Sequence, residues 1–161
     1  MKTINLVSIV VLSILLFNCS NKKEENQIEN QEVAISEVDK SLFERLGGEA
    51  GISSIVDDIL KSHLDNPEIR HVFLPIAENP QRLETFKTHV KQFLSAGTGG
   101  GAAYMGKDLP TAHKGLNTSE KEFMAAVDDI LGVLAKHNID EETQKDMLFI
   151  LYSLKGAVIG L

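Results

Sequence analysis

The spacing of apolar residues is the feature that most limits what this chain can fold into. From residue 52 onward apolar side chains recur three and four positions apart, which is the period of an amphipathic α-helix. Four stretches carry the pattern: 52–64, 83–94, 123–134 and 147–158. No segment alternates with period two for long enough to be a strand. The sequence therefore predicts an all-α fold of four long helices and several short ones.

Capping residues and prolines divide the pattern into separate helices. Two Ser-x-x-Glu boxes and one aspartate supply N-caps: Ser41 with Glu44, Ser119 with Glu122, and Asp140. Pro67 follows the first long helix, and Pro80 opens the second. The short segment 68–74 is expected to form a turn of helix that stops before Pro75, because proline cannot donate the next helical hydrogen bond.

The first eighteen residues are typical of a signal peptide. Lys2 gives a positive start, and residues 4–17 are almost wholly apolar, which suits a signal h-region but is too short to span a membrane as a helix. Cys19 follows and resembles the lipobox cysteine of bacterial lipoproteins, although Asn18 stands where that motif prefers a small residue. We expect cleavage after residue 18 and lipidation of Cys19. An ordinary signal peptide or an uncleaved anchor is the alternative.

Residues 19–40 are polar and acidic, which predicts a flexible linker between the lipidated Cys19 and a folded domain at residues 41–161. The protein would then be an exported lipoprotein, anchored to a membrane on its periplasmic or cell-surface side. Its net charge of -7 offers no basic surface for nucleic acid. Because Cys19 is the single cysteine, metal chemistry in the domain must rest on histidine, on carboxylates or on a cofactor.

One histidine stands in a segment unlike an ordinary core helix. His113 follows Pro110 on a short turn, between Ala112 and the nearby Gly115. Small neighbours let a flat macrocycle approach the backbone, and a neutral imidazole is the usual proximal ligand of haem iron. The spacing alone leaves both a haem ligand and a structural histidine open.

The other four histidines give weaker signals. His63, His71 and His137 lie near helix ends or beside charged residues, and we expect them on the solvated surface. His89 follows Phe86 by three residues and flanks an apolar face, where a histidine is more often structural than a ligand.

From Leu42 onward the chain resembles the truncated haemoglobins, small bacterial globins with a two-on-two helical sandwich, and most of all their first group. The matching segments are spread over the domain: residues 42–48, 65–67, Phe73, the glycine-rich loop 97–101, residues 104–109, 112–116 and 122–123. The match covers nearly all of residues 42–160, and the absence of tryptophan favours the first group over the others. The resemblance implies a truncated globin fold and a bound haem b, iron protoporphyrin IX.

The resemblance also implies a set of cofactor-binding residues: Phe73, Phe86, His89, Val90, Leu94, Tyr104, Lys107, His113, Phe123 and Ala126. In it, His113 matches the proximal iron ligand and Phe73 the phenylalanine that packs on the haem. His89 falls where cyanobacterial relatives carry a histidine that can bind iron as a sixth ligand. Lys107 and Arg82 are candidates to pair with the haem propionates.

The distal side departs from the family pattern. Leu60 stands where relatives often carry a tyrosine or histidine, and Val90 stands where they often carry glutamine. The connection from Phe73 to the distal helix is about five residues longer than usual. His89 is thus the one strong donor or ligand expected there.

Two functions follow from the resemblance. In the first, iron held by His113 reversibly binds oxygen or nitric oxide while His89 donates a hydrogen bond, and a reductase would be needed if the protein oxidised nitric oxide to nitrate. In the second, His89 and His113 both ligate the iron in a membrane-anchored redox carrier or sensor. An interpretation outside haem chemistry is a helical lipoprotein that acts as an interaction module.

Overall fold

The computed structural model describes residues 40–161, and this part of the chain is helical without any strand. Seven α-helices are followed by a 3-10 turn at Lys155–Ala157: α1 Leu42–Arg45, α2 Gly48–Asp65, α3 Arg70–Ala77, α4 Pro80–Thr98, α5 Leu109–His113, α6 Glu120–Lys136 and α7 Glu141–Ser153. The all-α prediction is confirmed. Between residues 40 and 161, none of the helices combines the length and the apolar character needed to cross a bilayer.

The predicted signal peptide at residues 1–18, the lipidation site Cys19 and the linker up to residue 39 lie outside the described residues.

The predicted N-caps are present and set where the helices begin. The Ser119 hydroxyl accepts a hydrogen bond from the Glu122 amide at 3.2 Å, and the Glu122 carboxylate accepts one from the Ser119 amide at 2.7 Å. Ser41 and Glu44 form the same reciprocal box ahead of α1. Asp140 accepts from the Thr143 amide at 2.9 Å. Each bond satisfies an amide that the first helical turn leaves without a partner.

The expected stop before Pro75 was wrong. Pro75 lies inside α3, which continues to Ala77. The proline removes one helical hydrogen bond but is followed by only two more helical residues, and the amides of Glu78 and Asn79 still bond to Leu74 and Ile76. The helix thus loses few hydrogen bonds and extends a few residues further than the local sequence indicates.

Helix α2 is the centre of the packing. It contacts both α4 and α6, and α6 in turn packs on α7, which gives the two-on-two arrangement of helix pairs. Its inward stripe is almost fully buried at Ile52, Ile55 and Val56. Burying each such side chain stabilises the fold by roughly 1.5–3 kcal/mol, so this stripe holds the two pairs together.

The end of the chain fastens the loop that follows α5. The amides of Gly115 and Asn117 donate to the Leu161 carbonyl at 3.0 and 2.9 Å, and the Gly160 amide donates to the Thr118 carbonyl at 3.0 Å. Helix α5 spans only five residues, too short to be stable by itself. These bonds and the contacts of α5 with the 3-10 turn keep it in place.

Candidate functional site

The helices surround a cavity of about 280 Å³ whose walls are almost entirely apolar. Four phenylalanines line it: Phe73, Phe86, Phe93 and Phe123. The two titratable residues in its lining are His63 and His113, which come from different helices. A cavity of this character suits a largely apolar guest that needs a few polar contacts.

His113 is presented to the cavity as a ligand with one free nitrogen. It is the last residue of α5, a helix that begins with the Asp108 carboxylate accepting from the Thr111 amide at 2.8 Å. The His113 Nδ1 lies 2.8 Å from the Leu109 carbonyl oxygen. A carbonyl only accepts, so Nδ1 carries the hydrogen and Nε2 keeps its lone pair. That lone pair can bind a metal.

Aromatic rings form one wall of the cavity. Phe73 of α3 meets Phe86 of α4 edge to face, with ring centroids 6.0 Å apart. The same Phe73 stacks on His63 at 4.7 Å with the planes 30° apart. Rings that contact in these two geometries hold each other in a defined orientation, and a flat aromatic guest packs well against such a wall.

Seven of the residues predicted at the cofactor line the cavity together: Phe73, Phe86, Val90, Leu94, His113, Phe123 and Ala126. They come from α3, α4, α5 and α6, and the turns between these helices bring them to one place. The two helices that supply most of these residues, α4 and α6, both pack on α2.

The remaining three predicted residues, His89, Tyr104 and Lys107, are not among the residues that line this cavity. The His89 ring meets the Tyr104 ring edge to face at 6.3 Å, and Tyr104 also contacts Phe93 at 5.3 Å. The Tyr104 hydroxyl donates to the Lys107 carbonyl at 2.6 Å. Partial burial raises the pKa of Tyr104, with the Asp108 carboxylate adding to that effect. His89 is therefore held in an aromatic contact beside the cavity.

The side chains proposed for the propionates, Lys107 and Arg82, are both exposed. Each is free to reach solvent, where the carboxylates of a buried macrocycle would emerge. An exposed ion pair contributes at most about 1 kcal/mol, so these lysine and arginine side chains would orient a guest more than retain it.

The surface position expected for His63 was wrong. His63 is 6% exposed, and its Nδ1 lies 2.9 Å from an Asp129 carboxylate oxygen. Its place in the sequence contained a usable signal, because His63 follows Ile59 by four residues and Leu60 by three and so continues the buried stripe of α2. Because His63 lies only two residues before the end of α2 at Asp65, the sequence suggested an exposed position instead. Asp129 of α6, which only the fold brings close, was missed altogether.

The residues present fit a haem. The described residues contain no cluster of three or more His, Cys, Asp or Glu side chains that could hold a bare metal ion. The aromatic and aliphatic walls match an apolar macrocycle, and the His113 lone pair matches its iron.

Comparison with known proteins agrees with this assignment. A family model described as bacterial-like globin matches residues 41–159. A group 1 truncated haemoglobin of Chlamydomonas moewusii is 28% identical over 123 residues, which cover 75% of this chain and 69% of that protein. The group 1 truncated haemoglobin GlbN of Synechocystis sp. is 29% identical over 106 residues, 63% of this chain and 82% of its own length.

Solved structures share the fold. Truncated haemoglobin from Tetrahymena pyriformis in its Fe(III) form superposes with a TM-score of 0.69 at 22% identity and covers 76% of this chain and 100% of its own. Haemoglobin from Chloroflexus aurantiacus gives a TM-score of 0.63 at 24% identity, with the same coverage of 76% and 100%. The family model matches residues 41–159, the described residues are all-helical, and His113 lines an apolar cavity. This chain therefore belongs to the bacterial-like globins and is a haem-binding globin of the truncated type.

Proposed function

We propose that this globin reversibly binds a diatomic gas, oxygen or nitric oxide, at haem iron held by His113. The observation that carries the proposal is the hydrogen bond from His113 Nδ1 to the Leu109 carbonyl, which leaves Nε2 free in an apolar cavity. A neutral imidazole in that state is a single, strong nitrogen ligand. Haem, when bound, supplies the iron that coordinates the gas.

The proposed cofactor is haem b, held without covalent bonds to cysteine. The single cysteine of the chain, Cys19, precedes the globin residues. Retention then rests on His113 and on the apolar walls, which include the rings of Phe73, Phe86, Phe93 and Phe123. Burial of apolar surface at about 25 cal/mol per Å² makes these walls the main source of cofactor affinity.

Two positions in the cavity wall lack a hydrogen-bonding side chain. Leu60 and Val90 line the cavity where relatives often carry hydrogen-bonding side chains, and neither can donate. A single hydrogen bond to a bound gas contributes on the order of 1 kcal/mol net. Without one from these two positions, we expect moderate gas affinity governed by His113 and by the size of the cavity.

The bis-histidine alternative is the weaker of the two. It requires His89 to reach the iron, whereas His89 lies against Tyr104 and is not part of the cavity lining. We therefore expect ferrous iron with one protein ligand, His113.

An absorption spectrum of the ferrous, gas-free protein tests the proposal. One broad visible band is expected, because five-coordinate iron lacks a second strong ligand, and exposure to oxygen followed by its removal should switch the spectrum reversibly. Sharp, split visible bands that collapse in the His89→Leu variant would show six-coordinate iron and would favour the redox alternative.

A further inference from the structure

A buried His–Asp pair lies in the wall of the cavity, and the function proposed above makes no use of it. His63 of α2 and Asp129 of α6 are 7% and 15% exposed in their side chains. Titratable groups are seldom buried next to an apolar space, because burying a polar group that has no hydrogen-bond partner costs several kcal/mol. This pair is therefore a specific feature of the cavity and not a solvated surface contact.

The hydrogen bonds around the pair fix which nitrogen of His63 carries the hydrogen. The Asn66 side-chain amide donates to both Asp129 oxygens at 3.1 Å, and His63 Nδ1 lies 2.9 Å from one of them. A carboxylate oxygen accepts the hydrogen bond, so Nδ1 holds the hydrogen. Nε2 then carries a lone pair.

Nε2 of His63 has no hydrogen-bond partner among the described residues. Within residues 40–161 every fully enclosed side-chain nitrogen or oxygen has a hydrogen-bond partner, yet Nε2 of His63 bonds to no protein atom there. Nε2 must therefore border a space that a water molecule can enter. The cavity is such a space, and His63 is one of its lining residues.

The surroundings of His63 favour the neutral form of its ring, because they lower its pKa. Burial lowers its pKa below the ordinary value, whereas the hydrogen bond and the charge of Asp129 oppose that shift. The groups that face the ring are the Asp129 carboxylate from α6, the uncharged Phe73 ring from α3 and, at the end of its own helix, Asn66 beyond the carboxylate. Among residues 40–161, the charge that acts on the His63 pKa is that of Asp129, which favours a proton taken up at Nε2.

We infer that His63, supported by Asp129, is the proton-accepting site of the cavity for weak acids of the form H–X. The inference rests on the proposed binding of ligands at iron held by His113. When such an acid enters as the neutral molecule, its H–X bond breaks, the proton goes to Nε2 of His63, and X⁻ keeps the electron pair with which it binds the iron. No oxidant or reductant is needed. Without a base the proton would have to remain in an apolar space, which is costly.

Comparing hydrogen cyanide with carbon monoxide distinguishes the loss of a proton acceptor from a change in how easily ligands enter the cavity. Hydrogen cyanide is undissociated at neutral pH and must lose its proton to bind ferric iron as the anion, whereas carbon monoxide binds ferrous iron with no proton to lose. Mixing each with the haem-loaded full chain in a stopped-flow spectrometer measures both association rates. A positioned base accelerates such a step by about 10²–10⁴-fold, so losing it should slow cyanide binding at least tenfold.

His63→Phe is the first variant, since a second phenyl ring keeps the stack on Phe73 while it removes the base and its hydrogen bond to Asp129. Asp129→Asn is the second, because the amide oxygen still accepts from His63 while the supporting charge is gone. The matched control is His137→Gln. His137 directly follows α6 and also bonds to α2, through Asp58 at 2.7 Å, but does not line the cavity. We expect slow cyanide binding in His63→Phe, an intermediate rate in Asp129→Asn, and unchanged carbon monoxide rates in all three.

The outcomes are distinct. A cyanide association rate in His63→Phe within twofold of the unmodified protein overturns the inference. An equal slowing of cyanide and carbon monoxide binding also overturns it, because that result would mean that ligands enter the cavity more slowly. Nitrogen-15 NMR of the carbon monoxide complex gives an independent check, in which neutral His63 must carry its hydrogen on Nδ1; a hydrogen on Nε2 also overturns the inference. A protein that binds no haem fails the proposed function instead, and the absent haem absorption identifies that case.

Discussion

His113 and His63 line the same cavity, and the acceptor at Nδ1 determines what each can do. The Leu109 carbonyl is neutral and leaves His113 an ordinary ligand, whereas the Asp129 carboxylate opposes the lowering of the His63 pKa by burial. Residue identity and spacing indicated a role for His113 but not for His63. The difference is that His113 takes its acceptor from four residues earlier in its own helix, while the partner of His63 lies 66 residues away.

Removal of the Asp129 carboxylate should destabilise the fold. In Asp129→Ala the buried donors of His63 and Asn66 lose their acceptor, and each buried unsatisfied group costs about 1–3 kcal/mol. Urea unfolding followed by circular dichroism should show a loss in that range or above. The control is Asp58→Ala, where the partner His137 keeps access to water and the carboxylate is 54% exposed; its effect should stay within about 0.5 kcal/mol. Equal losses in the two variants would contradict the importance of burial.

His63 also predicts a direction for the pH dependence of stability. Its pKa in the folded protein is lowered by burial from the ordinary value of 6.5, so near that pH the unfolded chain binds more protons than the folded one. Stability contributed by the neutral ring is therefore present above about pH 6.5 and is lost as the pH falls toward the folded pKa. The free energy of unfolding measured between pH 7.5 and 5.5 should fall less steeply in His63→Phe. A steeper fall in the variant would reverse the sign argued here.

At the scale of the helix, the sequence predicted where helices begin better than where they end. The caps of α1, α6 and α7 depend on residues three positions apart, so Ser119 with Glu122 could be recognised without knowledge of the fold. Pro75 was misjudged because the packing of α3 on α2 and α4 decides whether one lost hydrogen bond ends the helix. Local chemistry determines a cap, whereas tertiary contacts determine how far a short helix extends.

Ser119→Ala tests the cap that starts α6. The substitution removes the acceptor of the Glu122 amide and breaks the reciprocal box, and loss of an N-cap costs about 0.5–2 kcal/mol. Urea unfolding measures the change. Ser54→Ala, an exposed serine inside α2, is the control and should be neutral or slightly stabilising because alanine favours the helix interior. If Ser119→Ala changed the free energy of unfolding as little as Ser54→Ala, the capping box would not contribute to the stability of the fold.

For the whole molecule, apolar periodicity was sufficient for the all-α class, and the family resemblance placed seven residues in one cavity. The resemblance could not predict the direction of side chains that depends on local packing. His89 occupies the helix that lines the cavity, but its ring lies against Tyr104 from the following loop. Helical position fixes which side of a helix a residue occupies, and neighbouring rings then decide where a flexible side chain rests.

Export and lipidation remain predictions that concern the whole chain. Acyl chains on Cys19 would hold the globin at a membrane, since each buried methylene contributes about 0.8 kcal/mol. Metabolic labelling with a fatty acid should tag the protein, and Cys19→Ala should abolish the label and release the globin into the soluble fraction. An unlabelled parent protein would remove the lipoprotein assignment and leave the globin domain unaffected.

Titration with haemin tests most directly the claim that His113 holds haem iron in this cavity. The protein should develop an intense Soret band that saturates at one haem per chain, and His113→Gly should shift or weaken that band because Nε2 is lost from the cavity. Added imidazole should restore it by filling the vacated position. His137→Gln, which changes a histidine outside the cavity lining, should titrate like the parent. A His113→Gly spectrum identical to that of the parent, with no response to imidazole, would contradict the account.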